Sequence, residues 1–467
     1  MRLLRTLPRG PFLKIVQAAE HRNFVDVCRR AAAPQRRTVR QTLKASRRKI
    51  GEIKMLPSIS YGEFSFLNEV FTPTLPAHRT FIERDQVNPK VATALQVPGR
   101  QIILYGMNYV GKTTLIERNL ERYSEDHIVT QCHKGMNFHA VLVNAFDALN
   151  AYYTSEKIES KAVGLRLQLQ QQFLGIKAAL DSYHRSDITL KQERILHPQL
   201  TPQNLIKFLG EAKCCWILDD LHKIEKSERE HIADIMKLFI DKTMQYPDTR
   251  MIVVGAVSTA EELLPSTVEL RGRIAEIHVP LMTDEEVLNI IKKGETLLNI
   301  EFTPKVREFV VNISSGLPIL CHELCLQLCY AANVQWTTES LKIIDDEHFK
   351  SAILSFIENT LEDVKAKYSI ALKSNQHKRY HHALLIVDAL SRTKKDGGTK
   401  LELMKKIAEN EPNYKMEYLI RHLSSLAAED DGCLLRFDRA ADRFVFKHPT
   451  ERAYAVANLY ARNLGLL

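Results

Sequence analysis

The chain of 467 residues is 45% hydrophobic and 26% charged, which is typical of a globular protein with several domains. Its apolar runs, such as Met251–Val257, have the length of a strand. They are shorter than the roughly 18 residues of a membrane span, so no membrane partner is expected. The eight cysteines form no Cys-x-x-Cys pair, which argues against a disulfide framework and favours a reducing, cytoplasmic setting.

Positive charge is concentrated at the start of the chain. Residues 1–54 carry 15 Lys/Arg and 3 Asp/Glu, a net charge of +12, whereas the rest carries 50 Lys/Arg and 53 Asp/Glu, a net of −3. Residues 12–51 have the pattern of short helices, and the order FLKIVQAAE…NF…VRQTLKASRRKIG resembles a helix-turn-helix of the LysR type. We define residues 1–60 as a basic arm and expect it to contact double-stranded DNA. A solvated tail and an organelle transit peptide are the alternatives.

The next segment has the sequence signals of a new domain. Three prolines fall within residues 69–89, which indicates an extended lead-in. The apolar run Gln101–Tyr105 then predicts a buried strand, a glycine-rich turn follows, and Lys112–Tyr123 is helical. Residues 134–200 contain helix formers and are expected to form a helical insertion.

Two further apolar runs complete an α/β pattern. Lys213–Leu218 and Arg250–Val257 have the length and composition of buried strands, and helices with short loops separate them. This alternation predicts a parallel sheet with helices on both faces, a three-layer α/β core that extends over residues 61–280.

Residues 281–372 are predicted to form a helical lid and linker. Thr283 and Glu286 have the spacing of a capping box that opens a helix over Glu285–Thr296. Further helices are expected at Phe302–Ile313 and Pro318–Ala332.

The last part of the chain, residues 373–467, predicts a winged helix. Helices are expected over His381–Leu390, Lys400–Glu409 and Tyr414–Ala427. Cys433–Phe437 and Arg443–Lys447 then alternate with period two around a polar turn, which indicates a hairpin.

The turn after the first strand matches the phosphate-binding pattern G-x-x-x-x-G-K-[ST]. Its glycines allow backbone N–H groups to surround an anion, Lys112 is expected to reach the β- and γ-phosphates of ATP, and the Thr113 hydroxyl to bind Mg²⁺. The nucleotide-binding residues predicted here are Gly106, Met107, Asn108, Tyr109, Val110, Gly111, Lys112, Thr113 and Thr114.

The second strand ends in two acids, Asp219 and Asp220, about a hundred residues after this turn. We expect Asp219 to hold Mg²⁺ through water and Asp220 to polarise the attacking water. A strand that ends in solvated acids is the alternative, and it would be preferred if the turn were absent.

The ordered segments GMNYVGKTT, CCWILDD, VVGAVS, RGRIAEI and SSGLP resemble the initiator-type AAA+ clade, the origin-recognition proteins, and its STAND relatives. This resemblance covers about residues 70–460. Most AAA+ enzymes carry Glu where this chain has Asp220, and the shorter side chain favours slow hydrolysis. The segment Gly316-Leu317-Pro318 also differs from the pattern of loader enzymes and is closer to that of STAND switches.

The resemblance implies three further roles. Ser258 takes the position of sensor 1, where it orients water or the γ-phosphate. Arg273, with Arg271 in reserve, takes the position of an arginine finger that reaches the nucleotide of a neighbouring subunit, which implies a homo-oligomer or a partner protein. Pro318 and His322 take the position of sensor 2. A core strand, a surface arginine and a capped core histidine are the corresponding structural alternatives.

Cysteines 321, 325 and 329 share one face of the predicted lid helix beside His322. Metal ligation is conceivable for this spacing, but buried packing is the expected role because no second ligand cluster accompanies it.

Together these features predict an ATP-binding and hydrolysing, Mg²⁺-dependent switch of the AAA+/STAND type that associates with DNA. The resemblance points to prokaryotic defence or mobile-element systems as its setting. Two alternatives stay open: an ATP-regulated DNA-binding loader or transcription regulator with little turnover, and a nucleotide-locked scaffold whose winged helix contacts protein.

Overall fold

The computed structural model describes residues 64–123, 125–154, 200–265, 272–360, 362–373, 380–427 and 433–467. The basic arm, Arg271 and residues 155–199 of the predicted insertion lie outside the described residues. Within the described ranges, no helix is both long and apolar enough to cross a membrane.

A five-stranded parallel sheet confirms the α/β prediction. The strands have the order β2-β3-β4-β1-β5, and every pairing is parallel, so their carboxyl ends meet at one edge. The strands are β1 (Gln101–Tyr105), β2 (His127–Gln131), β3 (Cys215–Asp219), β4 (Met251–Gly255) and β5 (Ile274–His278).

Helices cover both faces of this sheet, as the uninterrupted apolar strands require. In β3, Trp216 and Leu218 face one hydrophobic cluster and Cys215 and Ile217 face the other. The first face is covered by α4 (Phe138–Thr154), α5 (Pro202–Ala212), α6 (Lys226–Asp241) and the short α7 (Ala260–Leu263), and the second by α2 (Asn88–Gln96) and α3 (Lys112–Arg122).

The first part of the predicted insertion belongs to the core itself. Val141, Phe146 and Leu149 of α4 are fully buried against the sheet. The sequence places this segment in an insertion because β2, which precedes it, has no apolar run. That strand alternates buried Ile128 and Thr130 with more exposed residues, as an edge strand does.

The lid contains a two-stranded parallel sheet and five helices among the described residues. The capping box at Thr283 and Glu286 is confirmed by two reciprocal hydrogen bonds of 3.1 and 2.9 Å. The elements are α8 (Asp284–Leu298), β6 (Ile300–Phe302), α9 (Pro304–Ser314), α10 (Pro318–Ala331), β7 (Lys342–Ile344), α11 (Asp346–Asn359) and α12 (Glu362–Leu372). A short α1 (Leu67–Val70) packs on this lid.

The helix predicted to begin at Phe302 begins two residues later. Thr303 caps it by accepting a hydrogen bond from the Val306 N–H, and Pro304 occupies its first turn. Phe302 instead ends β6. Threonine followed by proline is a strong start signal, since proline has no N–H to leave unsatisfied there.

The C-terminal part has the predicted three helices and antiparallel hairpin, followed by a helix that the sequence did not predict. Its elements are α13 (His382–Ser391), α14 (Lys400–Asn410), α15 (Met416–Leu426), β8 (Leu435–Asp438), β9 (Arg443–Phe446) and α16 (Pro449–Asn463). One continuous cluster of buried side chains runs from Leu67 to Ala461. The lid and the C-terminal part therefore share a hydrophobic core.

Candidate functional site

The loop between β1 and α3 needs glycine at both ends. Gly106 has φ +148°, and a Cβ there would lie 2.3 Å from the Val279 carbonyl oxygen. Gly111 has φ +87° and caps α3 in the left-handed conformation. Side chains at these two positions would be strained or would clash, so the backbone can follow this tight path only with glycine.

Lys112 fills the interior of this loop. Its Nζ donates hydrogen bonds to the carbonyl oxygens of Gly106 at 3.1 Å and Met107 at 2.7 Å. The side chain is buried, and burial lowers its pKa to about 8, although the charges of Asp219 and Asp220 raise it. A buried ammonium whose hydrogen-bond partners are neutral carbonyls is well suited to an anion.

The hydroxyl of Thr113 meets the end of strand β3. Its Oγ1 donates a 3.0 Å hydrogen bond to Oδ2 of Asp219, while Oδ1 of Asp219 accepts from the Asp220 N–H at 2.9 Å. Burial, followed by the charge of Asp220, raises the pKa of the Asp219 carboxyl. A hydroxyl and a carboxylate in contact at the start of α3 match the ligand chemistry that Mg²⁺ requires.

The carboxylate of Asp220 is already engaged. Its Oδ2 accepts from Lys223 Nζ at 2.6 Å and from Gln131 Nε2 at 3.2 Å. The backbone of Asp220 is left-handed, with φ +58°, which is uncommon for a residue with a side chain and holds the group in a fixed direction. The sequence reasoning missed Gln131 and Lys223, since neither belongs to a recognisable pattern.

His222 lies close to Asp219 and Asp220, and the sequence reasoning missed it as well. Its Nδ1 accepts a 3.1 Å hydrogen bond from the Ala256 N–H, just after β4, and burial lowers its pKa. Its position two residues after Asp220 was the only signal available in the sequence.

One cavity of about 570 Å³ lies between the sheet edge and the lid, and its lining includes Lys112, Thr113, Asp219, Asp220 and His222. Residues 108–115 form one wall, and Met282, Ile290 and Pro318 belong to the lid. The extended lead-in forms the remaining wall through 72–77, 80–82 and Arg84. A cavity of this size is within the range of small-molecule sites.

Arg84 lies in the lead-in wall and is 3% exposed. Its Nε contacts Glu286 Oε1 at 3.2 Å, and Nη2 donates to the carbonyl oxygens of Pro280 and Leu281. Its Nη1 is buried without a hydrogen-bond partner. No sequence pattern distinguishes this arginine, which ties the lead-in to the segment that joins β5 to the lid.

His322 and Pro318 are brought to the cavity by the lid. Pro318 Cγ would lie 3.6 Å from a Cβ on Gly111, so the lid touches the glycine-rich loop between β1 and α3. His322 is 3% exposed, and its Nδ1 accepts a 3.0 Å hydrogen bond from the Thr72 N–H. Burial lowers its pKa to about 4, so the ring is neutral at pH 7, with its proton on Nε2.

Ser258 and Arg273 do not reach this cavity. Ser258 is exposed, and its N–H donates to Glu262 Oε2 at 3.0 Å beside α7. Arg273 is exposed at the amino end of β5, level with Gln101, about 13–16 Å from the carboxyl edge at the usual strand rise. Their proposed roles stay predictions.

The three lid cysteines are fully buried in the lid core, and burial raises the pKa of the Cys325 thiol. Among the described residues, no group of three or more His, Cys, Asp or Glu side chains could hold a metal ion.

Comparison with known proteins gives only distant likenesses. No protein-family model matches the chain, and no curated protein matches it. A solved structure of Cdc6p from Pyrobaculum aerophilum is similar at 16% identity over 85% of this chain and 98% of that one, with a TM-score of 0.42. ORC1 from Aeropyrum pernix in complex with DNA is similar at 12% identity, over 86% and 98%, with a TM-score of 0.41. A Walker-type ATPase from Pyrococcus abyssi is similar at 14% identity, over 80% and 96%, also with a TM-score of 0.41.

Proposed function

We propose that this chain binds ATP together with Mg²⁺ and hydrolyses it, as a nucleotide-dependent switch of the AAA+ type. The hydrogen bond from Thr113 to Asp219 carries this proposal, because it joins the start of α3 to the end of β3 beside the buried ammonium of Lys112. A cation, a hydroxyl and a carboxylate then converge on one glycine-rich loop, which is the arrangement that phosphoryl transfer requires.

The residues of the site have different ligands in this proposal. The loop N–H groups and Lys112 hold phosphate oxygens, and Thr113 and Asp219 hold Mg²⁺, which neutralises phosphate charge when it is bound. Asp220 accepts a proton from the attacking water. Arg84 and the apolar side chains Ile82 and Met282 line the same cavity, and the apolar pair offers contact to the adenine ring of ATP.

Slow turnover fits this site. Asp220 shares its carboxylate oxygen Oδ2 with Lys223 and Gln131, so these donors must move or be shared before it can act as a base. The same contact favours the second candidate function, a nucleotide-locked STAND-type switch or scaffold that binds ATP with little turnover.

The C-terminal helices and hairpin have the element order of a winged helix, which supports DNA as a partner. Arg436 and Arg439 of the hairpin are exposed. The exposed face of α15 is mixed, with Lys415 and Arg421 beside Glu417, so a protein partner is the alternative. An exposed Arg273 at the sheet edge supports assembly into a homo-oligomer.

Titration calorimetry with ATP, in Mg²⁺ and in EDTA, tests nucleotide binding. We expect tight binding in Mg²⁺ for the unchanged protein and for Met244→Ala, which alters an exposed residue outside the cavity. Lys112→Ala is expected to lose affinity by at least about 100-fold, since a buried charge-assisted contact is removed. Equal affinity in Lys112→Ala would exclude this cavity as the nucleotide site.

A further inference from the structure

His222 is held in the cavity wall by its neighbours in the chain. It lies in a single 3-10 turn, Leu221–Lys223, that follows Asp220. Leu221 is fully buried and Ile224 is 2% exposed, and both pack in the hydrophobic cluster on the first face of the sheet. Because these two apolar side chains anchor the turn, the imidazole between them keeps its place in the lining of the cavity.

The protonation of the His222 ring follows from one contact. Its Nδ1 lies 3.1 Å from the backbone nitrogen of Ala256, and a backbone N–H can only donate. Nδ1 is therefore the acceptor, and the ring proton lies on Nε2. The hydrogen-bond donor that this side chain can offer to a ligand of the cavity is Nε2–H.

The same contact places the ring beside the acidic end of β3. Ala256 directly follows β4, and β4 lies between β3, which ends at Asp219, and β1, which leads into the glycine-rich loop. Nδ1 of His222 also lies 4.0 Å from Oδ1 of Asp220, the proposed general base. A base has to face the water that attacks the γ-phosphate, so a ring beside it is next to the last phosphate of a bound ATP.

The position of Ser258 leaves this role to another residue. The resemblance assigns the γ-phosphate contact to Ser258, but that side chain is exposed and does not line the cavity. His222 reaches the carboxyl end of β4 from the turn after the neighbouring strand β3. It therefore brings a neutral donor to the sheet edge where the resemblance expects a hydroxyl.

We propose that His222 donates a hydrogen bond from Nε2 to the γ-phosphate of ATP and is the residue by which the site distinguishes ATP from ADP. This assignment rests on the proposed nucleotide function. ADP lacks the accepting group, so the contact contributes to the binding of ATP alone. One hydrogen bond to a charged acceptor changes an affinity by about ten-fold or more.

Two substitutions separate this contact from simple support of the end of β4. In His222→Asn the amide oxygen can replace Nδ1 as the acceptor for the Ala256 N–H, but the side chain ends before the position of Nε2. In His222→Gln the amide nitrogen can replace Nε2 as the donor, whereas the acceptor at Nδ1 is lost. His231→Asn is the matched control, because His231 is exposed on α6 and lies outside the cavity.

Calorimetric titration of the full chain in Mg²⁺, with ADP and with the non-hydrolysable analogue AMP-PNP, measures the contact. His222→Asn should lose about ten-fold in affinity for AMP-PNP and keep its affinity for ADP within about two-fold. His222→Gln should stay within about three-fold of the unchanged protein for both nucleotides, since its donor is kept. His231→Asn should match the unchanged protein.

The outcomes separate the two proposals. Failure of the unchanged protein to bind either nucleotide contradicts the nucleotide function itself. Normal binding of both nucleotides by His222→Asn overturns the γ-phosphate contact alone. An equal loss for AMP-PNP and ADP in His222→Asn, or a loss for AMP-PNP as large in His222→Gln as in His222→Asn, would show a structural role for the ring and would also overturn it.

Discussion

Thr113 and Asp219, 106 positions apart in the sequence, meet through a 3.0 Å hydrogen bond between Oγ1 and Oδ2. The bond joins the first turn of α3 to the carboxyl end of β3, although β4 separates β3 from β1 in the sheet. Through this contact the glycine-rich loop and the acidic end of β3 become one site.

The hydroxyl of Thr113 is predicted to be needed for metal binding and not for folding. Thr113→Val keeps the shape of the side chain and removes the oxygen, so ATP affinity in Mg²⁺ should fall about ten-fold or more. Affinity in EDTA should change little. Calorimetric titration in both conditions measures this, and an equal loss with and without Mg²⁺ would rule out Thr113 as a metal ligand.

ATP binding is predicted to take up a proton above pH 8. Burial holds the pKa of Lys112 at about 8, and phosphate oxygens beside the ammonium would raise it again. Near pH 8.5 much of the free protein therefore carries a neutral Lys112, whereas the complex carries a charged one, so affinity falls as the pH rises. Calorimetry at pH 8.5 in buffers of different ionisation enthalpy should show that more than half a proton is taken up for each ATP bound. No uptake would contradict contact between Lys112 and phosphate.

His322 is predicted to destabilise the folded protein in mild acid. Its pKa is about 4 in the folded chain and 6.5 in the reference state, so only the unfolded chain binds the proton between these values. The free energy of unfolding should fall by about 2 kcal/mol between pH 7 and pH 5 from this residue. Urea unfolding of the unchanged protein and of His322→Gln measures the difference. The variant should lose less stability over this range, and an equal loss would show that other groups dominate.

Arg273 is predicted to act on a neighbouring molecule. It is exposed at the amino end of β5, away from the cavity of its own chain. Arg273→Ala should bind ATP normally but lose most turnover, as removal of a catalytic arginine supplied in trans does. Mixing it with Lys112→Ala, which keeps Arg273, should restore part of the activity. No restoration in the mixture would contradict action in trans.

The sequence predicted the parts of this molecule that depend on local signals. Three of the buried strands were marked by apolar runs, and the loop Gly106–Gly111 by its glycines and lysine. Capping residues located α8, while β2 was missed because an edge strand with alternating polar residues has no apolar run. Helix α16 was missed because its buried residues run without a break from Glu451 to Leu459, so no amphipathic period marks it.

The candidate site was predicted less completely, because part of it depends on long-range contacts. Arg84 and His222 reach the cavity only through the tertiary fold, and the donors Gln131 and Lys223 meet Asp220 from separate segments. Ser258 was placed by its distance along the chain, but after β4 the backbone turns outward, and the side chain is exposed.

ATP hydrolysis by the purified full chain in Mg²⁺, alone and with double-stranded DNA, tests the central claim most directly. Asp220→Asn should lower turnover about 100-fold with ATP affinity kept within a few-fold, since it removes a general base and leaves the phosphate contacts intact. Met244→Ala, which alters an exposed residue outside the cavity, is expected to retain turnover and serves as the control. Turnover that DNA raises and Asp220→Asn abolishes is the predicted result. Tight ATP binding without turnover, whether DNA is present or not, would contradict the proposed ATPase activity and favour the nucleotide-locked switch.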